Sequence, residues 1–193
     1  MAERMATIGD VEICYEEIGA PDARPLLLIM GLGGPMIWWD LEFCELLADR
    51  GFRVIRYDNR DTGRSHRMTG QGKLVKSYLR REPTPYTLEH MADDAAGLLD
   101  HLAIPAADVV GVSMGGMIAQ TLAIRHLEKV RSLTSMMSTT GSRAVGWVAP
   151  RILTQMFKKI PPGEESYIEH SVAGFRRIGT KAYLDSGAER QRA

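Results

Sequence analysis

A short segment that is apolar throughout constrains the fold of this chain more than any other feature. Residues 25–30 read Pro-Leu-Leu-Leu-Ile-Met and are followed by a glycine-rich stretch at 31–34. A strand without polar side chains is expected where a parallel sheet is covered on both faces. Further strand-like segments follow at 52–57, 108–112 and 130–136, separated by residues at helical spacing. This alternation predicts an α/β fold with a parallel sheet.

The N-terminal residues have a different pattern. Val11, Ile13 and Tyr15 alternate with polar or small residues, which is the period of a strand with one exposed face. A Gly-Asp pair separates this strand, 11–18, from an earlier one at 5–9. The pair predicts a hairpin at the start of the chain, so six strands are expected in total.

Helices are predicted between the strands and again towards the C-terminus. Within the first 142 residues they cover 38–47, 87–102 with Thr87 as the N-cap, and 114–126. Beyond that point the pattern is helical at 147–160 and 164–190, and no further strand is predicted. The sequence therefore predicts an α/β core over 1–142 and a helical segment over 143–193.

Composition excludes several classes of function. The 193 residues carry 24 basic and 24 acidic side chains, and a net charge of zero argues against a nucleic-acid partner. The apolar segments are far shorter than the roughly 20 residues that span a bilayer, so no membrane association is expected. Cys14 and Cys44 are the two cysteines, and they lack the spacing of a zinc site. Two free thiols and no visible signal peptide fit a cytoplasmic protein.

The strongest functional signal lies between a strand and a helix. Residues 111–116 read Gly-Val-Ser-Met-Gly-Gly. A sharp turn at this place lifts Ser113 to the carboxyl edge of the sheet, where it can act as a nucleophile. The helix that follows contributes free N–H groups and a positive dipole end, so the Met114 N–H can face an oxyanion.

A second N–H donor for an oxyanion is expected in the loop after an earlier strand. The glycine-rich stretch at 31–34 follows the first apolar strand, and the Leu32 N–H is the candidate donor. A dinucleotide-binding loop is the alternative interpretation. It is disfavoured because no G-x-G-x-x-G sequence opens a helix here.

These motifs resemble those of the α/β-hydrolase family over residues 5 to about 142. Residues 58–65, Asp-Asn-Arg-Asp-Thr-Gly-Arg-Ser, resemble the D-x-R-G-x-G-x-S turn of that family, with Asp61 in place of the usual glycine. Met30 stands where the family usually has a histidine before the glycine-rich loop. Together with Met-Gly-Leu-Gly-Gly, Trp-Trp and the serine motif, the pattern is most similar to bacterial esterases of the aclacinomycin methylesterase type.

The resemblance implies an activity and its parts. Ser113 would attack an ester carbonyl and form an acyl-enzyme, with the Leu32 and Met114 N–H groups as the oxyanion hole. Trp38 would contact the substrate, a small-molecule ester, and residues 143–193 would form part of a helical cap. Neither a metal nor an organic cofactor is implied.

The base and the acid of a serine triad are not found at the positions that the family uses. In this fold the order is serine, acid, histidine. His170 is the one later histidine at a useful distance, but it lies among the predicted cap helices. His126 ends the helix that Ser113 begins, about 18 Å away. His66 follows the 58–65 turn and could lie near the sheet edge, whereas the other two histidines fall within a predicted helix.

We therefore expect this chain to be the N-terminal part of a longer hydrolase, without the last strands and the acid and histidine they carry. The strand at 130–136 would then have an unpaired edge. Such an edge predicts self-association, or pairing with the missing C-terminal segment.

Two alternatives stay open at this point. The chain could be a non-catalytic binding protein or degenerate paralogue derived from a hydrolase. It could also use the same fold for other chemistry, as haloperoxidases, dehalogenases and lyases do, although a dehalogenase would carry an aspartate in place of Ser113.

Overall fold

The protein is described by a computed structural model that covers residues 2–68, 85–142, 146 and 163–179. The chain divides into two compact units, Met1–Ser142 and Arg143–Ala193. The second unit contains one described helix, Glu164–Ile178. Predicted helical residues at 147–160 and 180–190 lie outside the described residues. The assignment of this unit as a cap stays a prediction.

The first unit is built on one mixed sheet. Its strands are β1 (Arg4–Ile8), β2 (Val11–Ile18), β3 (Arg24–Ile29), β4 (Phe52–Tyr57), β5 (Ala107–Val112) and β6 (Val130–Met136). Their order across the sheet is β1-β2-β4-β3-β5-β6. The hairpin strands pair antiparallel with each other and with β4, and the remaining pairs are parallel. All six predicted strands and the α/β fold are thus confirmed.

Three described helices of the first unit follow the strands, namely α1 (Leu41–Ala48), α2 (Leu88–His101) and α3 (Met114–Arg125). The helix of the second unit is α4. The prediction that the first helix begins at Trp38 is wrong, because Met36–Trp38 forms a separate 3-10 turn. The Asp40 side chain accepts a hydrogen bond from Glu42 N at 3.0 Å and so fixes the start of α1.

Thr87 precedes α2, as predicted, and His90 contributes to the same cap. The Thr87 N–H donates to His90 Nδ1 at 3.1 Å. The imidazole therefore takes the place that a Glu or Gln side chain has in the usual capping box.

The core lies on both faces of the sheet. Because side chains alternate along a strand, Leu27 and Ile29 of β3 belong to the apolar cluster under α2 and α3, and Leu28 to the cluster under α1. All three are fully buried. Burial on both faces explains why residues 25–30 contain no polar side chain.

Strand β6 lies at the end of the sheet among the described strands. Residues 131–135 are exposed, including Leu133 at 40%. No helix among the described residues is long and apolar enough to cross a membrane.

Candidate active site

Ser113 occupies a sharp turn between β5 and α3. It is the N-cap residue of α3 and has φ 56° and ψ −120°, a backbone conformation that residues other than glycine rarely adopt. A non-glycine residue is held in such a conformation only where the surrounding structure enforces it, and this often occurs at functional sites. The side chain is exposed.

The glycines around Ser113 are explained by close backbone packing. A Cβ at Gly111 would lie 2.2 Å from the Gly115 carbonyl oxygen, and a Cβ at Gly115 would lie 2.2 Å from that of Ile29. A Cβ at Gly116 would lie 2.6 Å from Ser138 Cβ. The motif is therefore required because α3 starts directly against β3 and the end of β6.

Four hydrogen bonds hold the backbone of Ser113, one of them from Met117 N to its carbonyl oxygen at 3.3 Å. Its N–H donates to the Met136 carbonyl oxygen at 2.9 Å. Its carbonyl oxygen accepts from Gly116 N at 3.0 Å and from the Ser138 hydroxyl at 2.7 Å. Met136, at the end of β6, and Ser138 thus both support the turn. Nothing in the sequence around Ser138 indicates this role.

The loop after β3 passes directly beside Ser113. A Cβ at Gly31 would lie 3.2 Å from Ser113 Cβ and 3.7 Å from its Oγ. Asn59 Nδ2 donates to the Met30 carbonyl oxygen at 2.9 Å and anchors the loop at its first residue. Leu32 follows Gly31 and is 52% exposed.

Met114 and Trp38 lie on the two segments that flank the nucleophile. Met114 is the first residue of α3, so its N–H has no partner within the helix. The Trp38 ring packs over the loop, because a Cβ at Gly34 would lie 2.7 Å from Trp38 Cε3. Trp38 is half-buried, and it also packs against the apolar cluster under α1.

The 58–65 turn supports the same loop. Asp58 is buried, and its carboxylate accepts from Met36 N at 2.7 Å and Arg64 N at 2.8 Å. A Cβ at Gly63 would lie 1.9 Å from an Asp58 oxygen, which explains that glycine. Asp61, in place of the usual glycine, has φ 67° and accepts from Met68 N at 2.6 Å.

The described histidines of the first unit have partners other than Ser113. His126 Nε2 lies 2.7 Å from Asp93 Oδ1 at the far end of α3, and the His101 ring contacts that of Tyr15 edge-on. The His66 N–H donates to the Glu12 carbonyl oxygen at 2.8 Å, beside β2. Because β2 lies three strand spacings from β5, His66 is about 14 Å to one side of Ser113.

The cysteines do not compete with Ser113 as nucleophiles. Cys14 and Cys44 are free and buried. Burial raises the pKa of each thiol to about 11, so the reactive thiolate is suppressed. Among the residues that the structure describes, no group of three or more His, Cys, Asp or Glu side chains could hold a metal ion.

A family model described as alpha/beta hydrolase fold matches residues 24–161. The chain belongs to the α/β-hydrolase family. The match begins at the first residue of β3 and includes the loop beside Ser113, the 58–65 turn and the serine motif itself. The predicted family resemblance is therefore confirmed.

Relatives of this α/β hydrolase include two methylesterases. Rhodomycin D methylesterase DauP of Streptomyces sp. (strain C5) is 41% identical over 137 residues, which are 71% of this chain and 42% of that protein. Rhodomycin D methylesterase DnrP of Streptomyces peucetius is 39% identical over the same shares of the two chains. The chain thus matches less than half the length of these curated relatives.

Solved structures give the same fold. The enol-lactonase from Burkholderia xenovorans LB400 is 26% identical with a TM-score of 0.66, covering 97% of this chain and 66% of that one. The meta-cleavage product hydrolase from Pseudomonas fluorescens IP01 is 22% identical with a TM-score of 0.72, covering 98% and 61%. The second similarity concerns the fold alone.

The structure brings three of the predicted site residues of this α/β hydrolase onto adjoining segments. Ser113 and Met114 share the β5–α3 turn, and Leu32 lies one residue from the Gly31 contact with Ser113. Trp38 lies further along the same loop. His170 is in α4 of the second unit. Sequence reasoning missed the anchoring roles of Asn59 and Ser138, which have no local pattern.

Proposed function

We propose that this α/β hydrolase cleaves carboxylic esters of small molecules with Ser113 as the nucleophile. The observation that carries the proposal is the strained, exposed position of Ser113 at the β5–α3 turn, directly beside Gly31. The Ser113 oxygen would bond to the carbonyl carbon and give up its proton to a base. The bond to the leaving alcohol would break, and water would then release the acid from the acyl-enzyme.

The Leu32 and Met114 N–H groups would stabilise the tetrahedral intermediate. Leu32 follows β3 and Met114 follows β5, and the carboxyl ends of these neighbouring strands meet at Ser113. Met114 adds the positive end of the α3 dipole. A backbone donor needs no particular side chain, so Met30 in place of the family's histidine is compatible with this role.

The proposal places the base and the acid outside the described residues of the first unit. The described histidines of the first unit lie away from Ser113 and have the partners given above. Residues 137–142, which follow β6, contain no carboxylate. The names of two relatives, a methylesterase and an enol-lactonase, support ester cleavage. Trp38 would contact the substrate from the loop that carries Leu32.

The proposal is tested with a fluorophosphonate, which forms a covalent adduct with an activated serine. We expect the folded protein to be labelled, and mass mapping to place the adduct on Ser113. Two controls are used. Ser113→Ala lacks the hydroxyl, and urea-unfolded wild-type protein lacks the folded turn that exposes it. Labelling that persists in Ser113→Ala, or an unlabelled folded protein, would reject the proposal.

The second candidate function is binding of a small-molecule ester without cleaving it. It is favoured by one observation, the separation of the described histidines of the first unit from Ser113. A binding protein would bind an ester in calorimetry without releasing alcohol. Release of alcohol by wild-type protein and not by Ser113→Ala would exclude it.

We also propose that the β6 edge mediates self-association or binds a further segment of the protein. Residues 131–135 are exposed, and an uncovered strand edge is a template for pairing. Sedimentation should show oligomers of the chain at micromolar concentration, reduced by Leu133→Lys. A stable monomer would contradict self-association. We propose further that the protein works in the cytoplasm, a reducing compartment, which fits the free thiols of Cys14 and Cys44.

A further inference from the structure

Three segments of the chain meet at Ser113, and none of them carries a charge. Residues 25–39, 109–124 and 132–142 contain no Asp, Glu, Lys, Arg or His. Charged residues make up 25% of the whole sequence, so uncharged segments of this length are conspicuous. They contain the parts of β3, β5 and β6 that follow Arg24, Asp108 and Arg131, together with the loops at the carboxyl ends of these strands.

The three segments are neighbours in space as well as alike in composition. Strand β5, which leads to Ser113, lies between β3 and β6. The loop after β3 approaches Ser113 at Gly31, and the end of β6 bonds to the Ser113 N–H through Met136. A molecule at the Ser113 hydroxyl therefore meets uncharged chain on both sides of the nucleophile.

Exposed apolar side chains occur on both of the flanking loops. Leu32 and Ile37, after β3, are 52% and 53% exposed, and Met137, after β6, is 76% exposed. Single exposed apolar residues are common on proteins. These three follow the two strands that border the nucleophile strand, which is where an apolar ligand would gain from contact.

We propose that Leu32, Ile37 and Met137 bind the substrate and that the site selects esters with an uncharged, apolar acyl group. The inference rests on the proposed function of Ser113. An apolar acyl chain would gain free energy by covering these side chains. A carboxylate on the acyl chain would lose water without finding a cationic partner on the three segments, which costs free energy.

Two esters with the same leaving group test the selection. The wild-type protein is assayed with para-nitrophenyl butyrate and with mono-para-nitrophenyl succinate, whose acyl chains have equal carbon number but differ by a terminal carboxylate. Release of nitrophenolate is followed from the first turnover, and the rate with Ser113→Ala is subtracted for each ester, because the succinate carboxylate also attacks its own ester group and expels nitrophenolate without Ser113. We expect kcat/KM to be about thirtyfold higher for the butyrate.

A variant that reacts faster with the charged ester distinguishes a binding role of Met137 from general damage to the protein. Met137→Lys would place a cation beside the acyl chain, so the ratio between the two esters should fall about tenfold, through faster reaction of the succinate. Ile124→Lys is the matched control. Ile124 is 82% exposed near the far end of α3, about 16 Å from Ser113, so the ratio should not change.

The outcomes separate this inference from the proposed function. Equal kcat/KM for the two esters, or an unchanged ratio in Met137→Lys, would overturn the inference while Ser113 labelling by a fluorophosphonate still stands. Labelling of Ser113 without nitrophenolate release from the butyrate would also overturn it. Absence of both labelling and release would reject the proposed function and the inference together.

Discussion

The hydroxyl of Ser138 donates a 2.7 Å hydrogen bond to the carbonyl oxygen of Ser113. The same oxygen accepts the Gly116 N–H, so Ser138 binds the first turn of α3 from the side of β6. Ser138 does not need to touch substrate for this role. It is a positioning residue for the strained nucleophile.

Ser138→Ala should slow fluorophosphonate labelling of Ser113 about fivefold, because a neutral hydrogen bond contributes about 1 kcal/mol. Thr121→Ala is a matched control, since Thr121 Oγ1 donates to the Met117 carbonyl oxygen at 2.9 Å on the same helix. Labelling of the control should proceed at the wild-type rate. If both variants slow equally, the effect is one of helix stability and not of positioning.

Gly115→Ala should lower the free energy of unfolding by about 3 kcal/mol, because the new methyl group would overlap the Ile29 carbonyl oxygen and force β3 and α3 apart. Gly9 is the comparison, with φ 59° and nothing within 4 Å of an added Cβ. Gly9→Ala should cost about 1 kcal/mol, from backbone strain alone. Urea unfolding measures both, and equal losses would contradict the packing explanation.

Asp94→Ala should lower the free energy of unfolding by about 3–5 kcal/mol, because it leaves the Arg60 charge buried without a partner. Arg60 donates to both Asp94 oxygens, at 2.7 and 2.6 Å, and the two side chains are 8% and 6% exposed. Replacing both residues with apolar ones should recover much of the loss.

The control for this ion pair is Arg4→Ala, since Arg4 pairs with Glu17 at 2.9 Å but is 62% exposed. Thermal or urea unfolding should show a loss of about 1 kcal/mol or less. A small effect of Asp94→Ala, similar to that of Arg4→Ala, would show that burial of the Arg60 pair is not decisive.

Asp108 should make stability depend on acid pH. Hydrogen bonds from Arg24 and Ser132 hold the pKa of the Asp108 carboxyl below its ordinary value, against the opposing effect of burial. The stability from its charge is complete above the unfolded pKa of about 4 and is lost as pH falls towards the folded pKa.

The difference in unfolding free energy between wild type and Asp108→Asn should therefore shrink between about pH 5 and pH 2. Urea midpoints across this range measure it. Asp22→Asn, at an exposed position, should show no such convergence. A difference that stays constant with pH would mean that the ionised carboxylate of Asp108 is not the stabilising species.

Local chemistry explains what could be predicted from the sequence. The apolar residues 25–30 predict a strand buried on both faces, and the glycines around Ser113 predict a tight turn, because each pattern reflects only neighbouring residues. Asp40 shows the limit of such patterns. The Trp-Trp pair before it has helical spacing, yet the carboxylate of Asp40 starts α1 three residues later than predicted.

The sequence by itself determined the strands, the serine turn and the family. Only the tertiary structure decided what supports the turn, through Ser138 at 2.7 Å, and what anchors the loop beside it, through Asn59 at 2.9 Å. It also placed His66 beside β2, three strands from β5. The physical reason is strand order: β3 inserts between β4 and β5, and this long-range pairing leaves no local trace in the chain.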